Sequence, residues 1–270
     1  MKIGVVQMES LHGDINGNIA RHAEFVRLAA SHAVELLIFP ELSLTQYDAP
    51  YAENVATSAD DPRFDTLQTL ADEHTMTLCA GIPLKAEGGN TISMLIFQPN
   101  KPLDLYSKQY LHDDELPFFV PGPVRSPISP IAAGMAFAIC YEISVPQHAR
   151  AAHDDGASIY IASVAKTPSG VERAHERLAT ISRDYDMTVF LSNCVGPCDG
   201  SIGGGKSAVW NAQGEVLAQM DDMHEGIIVY DPEVATVPAE VILISYSEID
   251  LTDSKLLRVT YRDNITRDMQ

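Results

Sequence analysis

The stretch Met135-Ala-Phe-Ala-Ile-Cys140-Tyr-Glu-Ile-Ser-Val-Pro146 opens as an unbroken apolar run and changes character at the cysteine. A short apolar run closed by a polar turn reads as a buried strand. A thiol at such an exit is a common place for a nucleophile, although free cysteine more often packs as a small hydrophobe. Two other strands end in a related way. Leu36-Leu-Ile-Phe-Pro-Glu41 closes on an acid, and Leu105-Tyr-Ser-Lys108 on an amine. An acid, an amine and a thiol at three strand exits are the raw material of a covalent hydrolase.

Outward from these runs, strand-like and helix-like segments alternate. Strands are expected at 2–8, 35–39, 77–82, 90–97, 158–162, 187–193, 208–211, 215–219 and 226–230, with a strand-pair region at 131–140. Helices are expected at 16–32, 64–74, 145–153 and 171–184. The first places Ile19, Ala23, Val26 and Ala30 on one face, and the second turns Leu67, Leu70 and Ala71 inward. Gly88-Gly89-Asn90 supplies hairpin chemistry. Alternation interleaved with hairpins predicts an α/β protein with mixed rather than purely parallel sheets. The Pro-rich segment 117–130 lies between apolar strands and reads as a loop, so residues 1–270 are read as one domain.

Composition narrows the partners. With 46% hydrophobic and 20% charged residues, the chain can bury a substantial core. A net charge of −19 argues against nucleic acid and against an anionic membrane surface. The acidic clusters at 60–61, 113–115, 154–155 and 221–222 read mostly as solvated loop positions. No stretch reaches the ~18 apolar residues of a membrane span. The N-terminal Met1-Lys-Ile-Gly-Val-Val-Gln-Met8 reads as a strand rather than a signal peptide, so the expected compartment is the cytoplasm. Cys79, Cys140, Cys194 and Cys198 are too few for a disulfide scaffold. Cys194 and Cys198 read as reduced thiols near a loop, without the second Cys or His pair that would complete a zinc set. Gly200-Ser-Ile-Gly-Gly-Gly205-Lys206-Ser207 matches a phosphate-loop pattern, but Ala208-Val-Trp after it reads as a strand where a helix is needed.

With Glu41, Lys108 and Cys140 placed, the chain resembles the nitrilase superfamily, the carbon–nitrogen hydrolases. The resemblance runs through Ile3-Gly-Val-Val-Gln7, Phe39-Pro-Glu41-Leu-Ser-Leu-Thr45, Tyr106-Ser-Lys108-Gln-Tyr-Leu111 and Ile139-Cys140-Tyr-Glu-Ile-Ser-Val-Pro146. It continues at Ser192-Asn193, Gly205-Lys-Ser-Ala208 and Gly214-Glu-Val-Leu-Ala218. It implies a four-layer αββα sandwich with two mixed sheets, a Glu41–Lys108–Cys140 triad, and a homodimer or higher homo-oligomer. Glu115 matches a second glutamate that many members place after the lysine motif. Three departures stand out. Thr45-Gln46-Tyr47 replaces the frequent Thr-Gly-Tyr, and Ser182-Arg-Asp-Tyr-Asp186 stands where Arg-Ala-x-Glu-Asn is frequent. Ser144-Val145-Pro146 lacks the arginine often found in members acting on ω-amides of dicarboxylates.

The chemistry suits these residue types. A free thiol is only slightly ionised at neutral pH, so a base must take its proton, and Glu41 is the candidate. Burial would raise the Glu41 pKa toward a useful value. The Lys108 ammonium and the Tyr141 N–H would stabilise the oxyanion, and water activated by Glu41 or Glu115 would release the acid. The expected reaction is hydrolysis of a small linear carboxamide or N-carbamoyl compound through a thioester on Cys140. It needs no metal and no organic cofactor. A nitrile hydrolase working through a thioimidate, or a catalytically silent interaction protein of the same fold, are the alternatives. Tyr47 and Tyr141 either line the substrate pocket or pack over the loops. His112, His148 and His175 read as surface or helix residues.

Overall fold

The computed structural model describes residues 1–124, 127, 131, 134–234, 236–246 and 259–263. In the first half the strands are β1 (Ile3–Gln7), β2 (Leu36–Ile38), β3 (Thr77–Ala86), β4 (Gly89–Phe97) and β5 (Asp104–Ser107). The second half adds β6 (Met135–Ile139), β7 (Ile159–Ser163), β8 (Thr188–Ser192), β9 (Pro197–Cys198), β10 (Ser201–Ile202), β11 (Ala208–Trp210), β12 (Val216–Gln219), β13 (Gly226–Tyr230), β14 (Glu240–Tyr246) and β15 (Val259–Asp263). The α-helices are α1 (Ile15–Ser31), α2 (Ala52–Val55), α3 (Asp65–His74), α4 (Pro146–Asp154) and α5 (Pro168–Tyr185).

Two mixed sheets carry the fold. The larger has eight strands in the order β15-β14-β13-β1-β2-β3-β4-β5, and the other five in the order β12-β11-β8-β7-β6. The pairs β1/β2, β2/β3, β6/β7 and β7/β8 are parallel, and the outer pairs antiparallel.

Side-chain alternation assigns the layers. In β1, Ile3 and Val5 enter an apolar cluster with Phe137, Ile139, Ile161, Phe190 and Val209 from the other sheet. Val6 points the other way, toward Phe25 and Val26 of α1. In β6 the intervening Ala136 and Ala138 face Ala149 of α4 and Leu178 of α5. Three clusters therefore separate four layers: helices, sheet, sheet, helices. Strands buried on both faces have no polar side to show, which is why they read as continuous apolar runs. The αββα sandwich expected from the family resemblance is the observed architecture.

Some boundaries differ from the sequence reading. Among the described residues of 131–140 there is one strand, opening after Gly134 and ending before Cys140, both at positive φ (82° and 44°). The last helix begins at Pro168, three residues earlier than expected, because proline is pre-organised for a first helical turn. Strands β14 and β15 extend the larger sheet past the expected last strand. Among the described residues no helix is long and apolar enough to cross a membrane.

Candidate active site

Glu41, Lys108 and Cys140 leave strands of both sheets and meet where the sheets stack. Glu41 lies just past β2, and its N–H donates to Val164 O (3.3 Å), beyond β7 of the opposite sheet. Buried hydroxyls tie the same strand ends together. Ser163 Oγ donates to Phe39 O (2.8 Å) and Ser192 Oγ to Val6 O (2.6 Å). The Glu41 loop is also held from α1, where Asn18 Nδ2 donates to Leu44 O (3.0 Å) and His22 Nε2 lies 3.0 Å from Ser43 Oγ. Burial lowers the His22 pKa to about 3, so its ring is neutral in this position. Glycine is required at Gly81 of β3, because a Cβ there would overlap the backbone of Glu41 and Leu42.

Lys108 follows β5, its N–H bonded to Ile92 O and its C=O accepting from Gly122 N–H (both 2.8 Å). Its Nζ donates to Glu41 Oε1 (2.8 Å) and to Glu115 Oε1 (2.5 Å). Lys108, Glu41 and Glu115 are 0%, 3% and 2% exposed. Burial works against the Lys108 charge, but Glu41, Cys140 and Glu115 outweigh it and hold the ammonium well above its ordinary range. Burial raises the Glu41 pKa against the pull of Lys108, with Glu115 adding to the rise. Tyr47 OH donates to Glu115 Oε1, and His112 N–H to Glu115 Oε2 (both 2.8 Å). Glu115 is thus separated from its neighbours Asp113 and Asp114, which are exposed.

Cys140 begins a 3-10 turn, Cys140–Ser144, at φ 44°. A side chain in left-handed backbone is strained and persists only where its surroundings hold it. Half-buried, its thiol is pushed up to about 11 by burial and by Glu41, while Lys166 and Lys108 pull it down. The thiol also bears on the Glu41 carboxylate, whose Oε2 is buried without a directed hydrogen-bond partner among the described residues. Leading N–H groups of such a turn lack partners within it, which leaves the Tyr141 N–H placed to serve a ligand.

What holds the turn is Glu142, which the sequence reading quoted only as part of a motif. Its Oε2 accepts from Ile139 N–H and from Tyr106 OH (both 2.8 Å), and its Oε1 from Gln109 N–H (2.7 Å). One buried carboxylate therefore straps the residue before Cys140 to the residue after Lys108. Tyr106 OH meets His148 Nε2 at 2.9 Å, and His148 Nδ1 meets Tyr160 OH at 2.8 Å. His148 was expected at the surface or on a helix. It sits on α4 but is buried, with its pKa lowered to about 4 by burial. A neutral imidazole has one donor and one acceptor, which suits a place between two hydroxyls.

Other motif residues have structural partners. Asn193 Oδ1 accepts from Lys166 N–H (2.8 Å), and its Nδ2 donates to Gly205 O (2.7 Å) and Lys166 O (3.2 Å). Ser207 N–H donates to Gln7 Oε1 (2.9 Å). The phosphate-loop pattern leads into strand β11, so it offers no helix N-terminus. Cys79, Cys194 and Cys198 are buried free thiols. Asp61 is a correction to the solvated reading, since Arg63 and Thr57 bond its carboxylate and lower its pKa. Tyr141 lines a cavity of about 180 Å³ with His112, Ser144, Lys166 and Arg173. A larger groove of about 460 Å³ lies between α4 and α5; Glu41, Lys108, Glu115 and Cys140 line neither space, but the smaller one takes in Tyr141, the residue after Cys140.

The family model described as carbon-nitrogen hydrolase matches residues 2–239. The chain belongs to the carbon–nitrogen hydrolase family. As such it is an amidase-like hydrolase of carbon–nitrogen bonds other than peptide bonds. This carbon–nitrogen hydrolase is 25% identical over 252 residues to a hydrolase of Schizosaccharomyces pombe, covering 86% of this chain and 77% of that protein. It is 29% identical over 161 residues to a protein N-terminal amidase of the same yeast, covering 53% of this chain and only 56% of the relative. Among solved structures, an amidase of the nitrilase superfamily from Nesterenkonia superposes with a TM-score of 0.78 at 22% identity. That match covers 86% of this hydrolase and 91% of the other chain, a likeness of fold.

Proposed function

We propose that the protein hydrolyses a small linear carboxamide or N-carbamoyl compound, with Cys140 as nucleophile. The observation that carries this reading is the Lys108 ammonium bound to both Glu41 and Glu115 beside the Cys140 turn. With the thiol pushed up to about 11, the resting nucleophile is protonated and lies next to the buried Glu41 carboxyl, whose raised pKa makes it a stronger base than an exposed acid. Glu41 takes the thiol proton as sulfur attacks the carbonyl carbon. The new C–S bond leaves charge on the carbonyl oxygen, where Lys108 Nζ and the Tyr141 N–H stabilise it, each good donor contributing roughly 3–4 kcal/mol. The C–N bond then breaks, and Glu41 returns the proton to the departing nitrogen, giving ammonia or an amine and a Cys140 thioester. A water, deprotonated by Glu41 with Glu115 in support, attacks the thioester and releases the carboxylic acid and the thiol. Tyr47, bonded to Glu115, orients that second carboxylate. The homodimer implied by the family resemblance is part of the same reading and is measured by light scattering.

An amide and nitrile panel assayed for ammonia release tests the chemistry. Amide turnover with an acyl adduct on Cys140 in intact-protein mass spectra is expected. Cys140→Ala should abolish turnover, and Lys108→Met should lower kcat by at least about 100-fold. Turnover of nitriles with every amide inert, or adducts confined to other cysteines, would overturn the reading.

A further inference from the structure

The chain carries 37 acidic against 18 basic residues, yet the cavity beside the Cys140 turn is lined by Lys166, Arg173 and Arg177 and by no acid. Arg177 is committed, donating from Nη1 to Ser144 O (2.9 Å). His112 at the rim is paired with Asp114 (3.3 Å). The side chains of Lys166 and Arg173 have no hydrogen bond or carboxylate partner among the described residues. In so acidic a protein, two unneutralised cations at one cavity are a place where a ligand's negative charge is welcome.

Lys166 is also built into the site. Asn193 grips its backbone from both sides, at N–H and C=O, and Gly204 N–H donates to the same carbonyl (2.7 Å). This fixes the root of a side chain whose charge reaches Cys140. Arg173 stands on the second turn of α5 and lines the same cavity. About 180 Å³ holds only a short tail, since a water in the liquid takes about 30 Å³.

We propose that this site selects amides or N-carbamoyl compounds carrying a carboxylate at the end remote from the scissile bond, held by Lys166 and Arg173. The proposal rests on the amidase reading of Cys140. Lys166 lies between β7 and α5, and Arg173 stands on α5. A bidentate guanidinium and a point-charge ammonium together suit a planar carboxylate. The acids of the site, Glu41 and Glu115, lie at the reacting end, so the tail avoids them by running past Tyr141.

The test compares butyramide with succinamate, which has the same carbon count and adds the carboxylate. In the native enzyme, kcat/KM for succinamate should exceed that for butyramide by roughly tenfold or more, and Lys166→Met with Arg173→Met should bring the ratio near one. The exposed Arg173→Met alone should lower the ratio, which keeps the test open if the double variant folds poorly. Calorimetry on Cys140→Ala should show succinamate bound, with affinity lost on adding Arg173→Met. Equal kcat/KM for the two amides, or a preference that survives both substitutions, would overturn the proposal and leave the amidase reading intact. Inertness toward every amide with no Cys140 adduct would instead overturn that reading, and calorimetry would still decide the carboxylate site.

Discussion

At the scale of single residues, Glu142 has the most to explain, because three groups donate hydrogen bonds to its carboxylate. Ile139 N–H, Gln109 N–H and Tyr106 OH all suit the ionised carboxylate. Burial nevertheless raises its pKa to about 7, against those donors and Lys108. Two consequences have opposite signs. The folded chain binds the Glu142 proton more tightly than the unfolded one, so this group's contribution to stability is full below the ordinary carboxylate range and lost as pH rises through about 7. Activity should instead fall as pH drops through about 7, because a protonated Glu142 sets an O–H against N–H donors and loosens the turn. Glu142→Gln puts an amide NH₂ into the same conflict, a cost of about 1–3 kcal/mol. It should lower kcat more than it changes KM and remove that acid limb from the pH–rate profile. An acid limb left unchanged by the substitution would assign it elsewhere, Glu41 first. Cys140, Lys108 and Glu41 stood out in the sequence because each ends or follows a recognisable run, and Glu115 because it matches a second glutamate of the family the chain resembles. Lys166 and the strap role of Glu142 did not, since their meaning depends on which strand exits lie side by side.

Among the elements, β3 and the Glu41 loop show how strand geometry positions chemistry. Gly81 lets the β3 backbone touch the loop backbone at Glu41 and Leu42, and Leu44 N–H donates to Gly81 O (3.0 Å). Gly81→Ala forces a Cβ into that contact and should cost about 1–3 kcal/mol, as overpacking does. The melting temperature should fall by roughly 2–10 °C, and kcat at 25 °C should fall well beyond the unfolded fraction, because Glu41 moves. Full activity in a destabilised but folded variant would show that the contact serves stability alone. The helix–strand alternation was readable from periodicity. The bounds of the strand Met135–Ile139 were not, because an apolar run buried on both faces carries no period-2 signature.

On the scale of the whole molecule, the four cysteines separate by layer. Cys79 lies between the sheets, Cys194 and Cys198 are buried near the strand ends, and only Cys140 is partly open. Burial holds the Cys79 thiol well above its ordinary range, and a hydrogen bond with the Cys194 thiol, together with burial, does the same for Cys198. Iodoacetamide should therefore label the native protein once, at Cys140, and the unfolded protein at all four, as read by peptide mapping. Native labelling of Cys79 would contradict the layer assignment. The sequence by itself determined the chemistry's ingredients: alternating apolar runs that must be buried, and an acid, an amine and a thiol where three of them stop. Tertiary structure alone decided how those ingredients meet. The two sheets stack with their strand ends together, which desolvates Glu41, Lys108 and Glu115 as a group and brings Lys166 and Arg173 to the cavity beside Cys140. Charge and hydrophobicity are written along the chain, whereas desolvation and the fields between side chains exist only once distant segments are in contact.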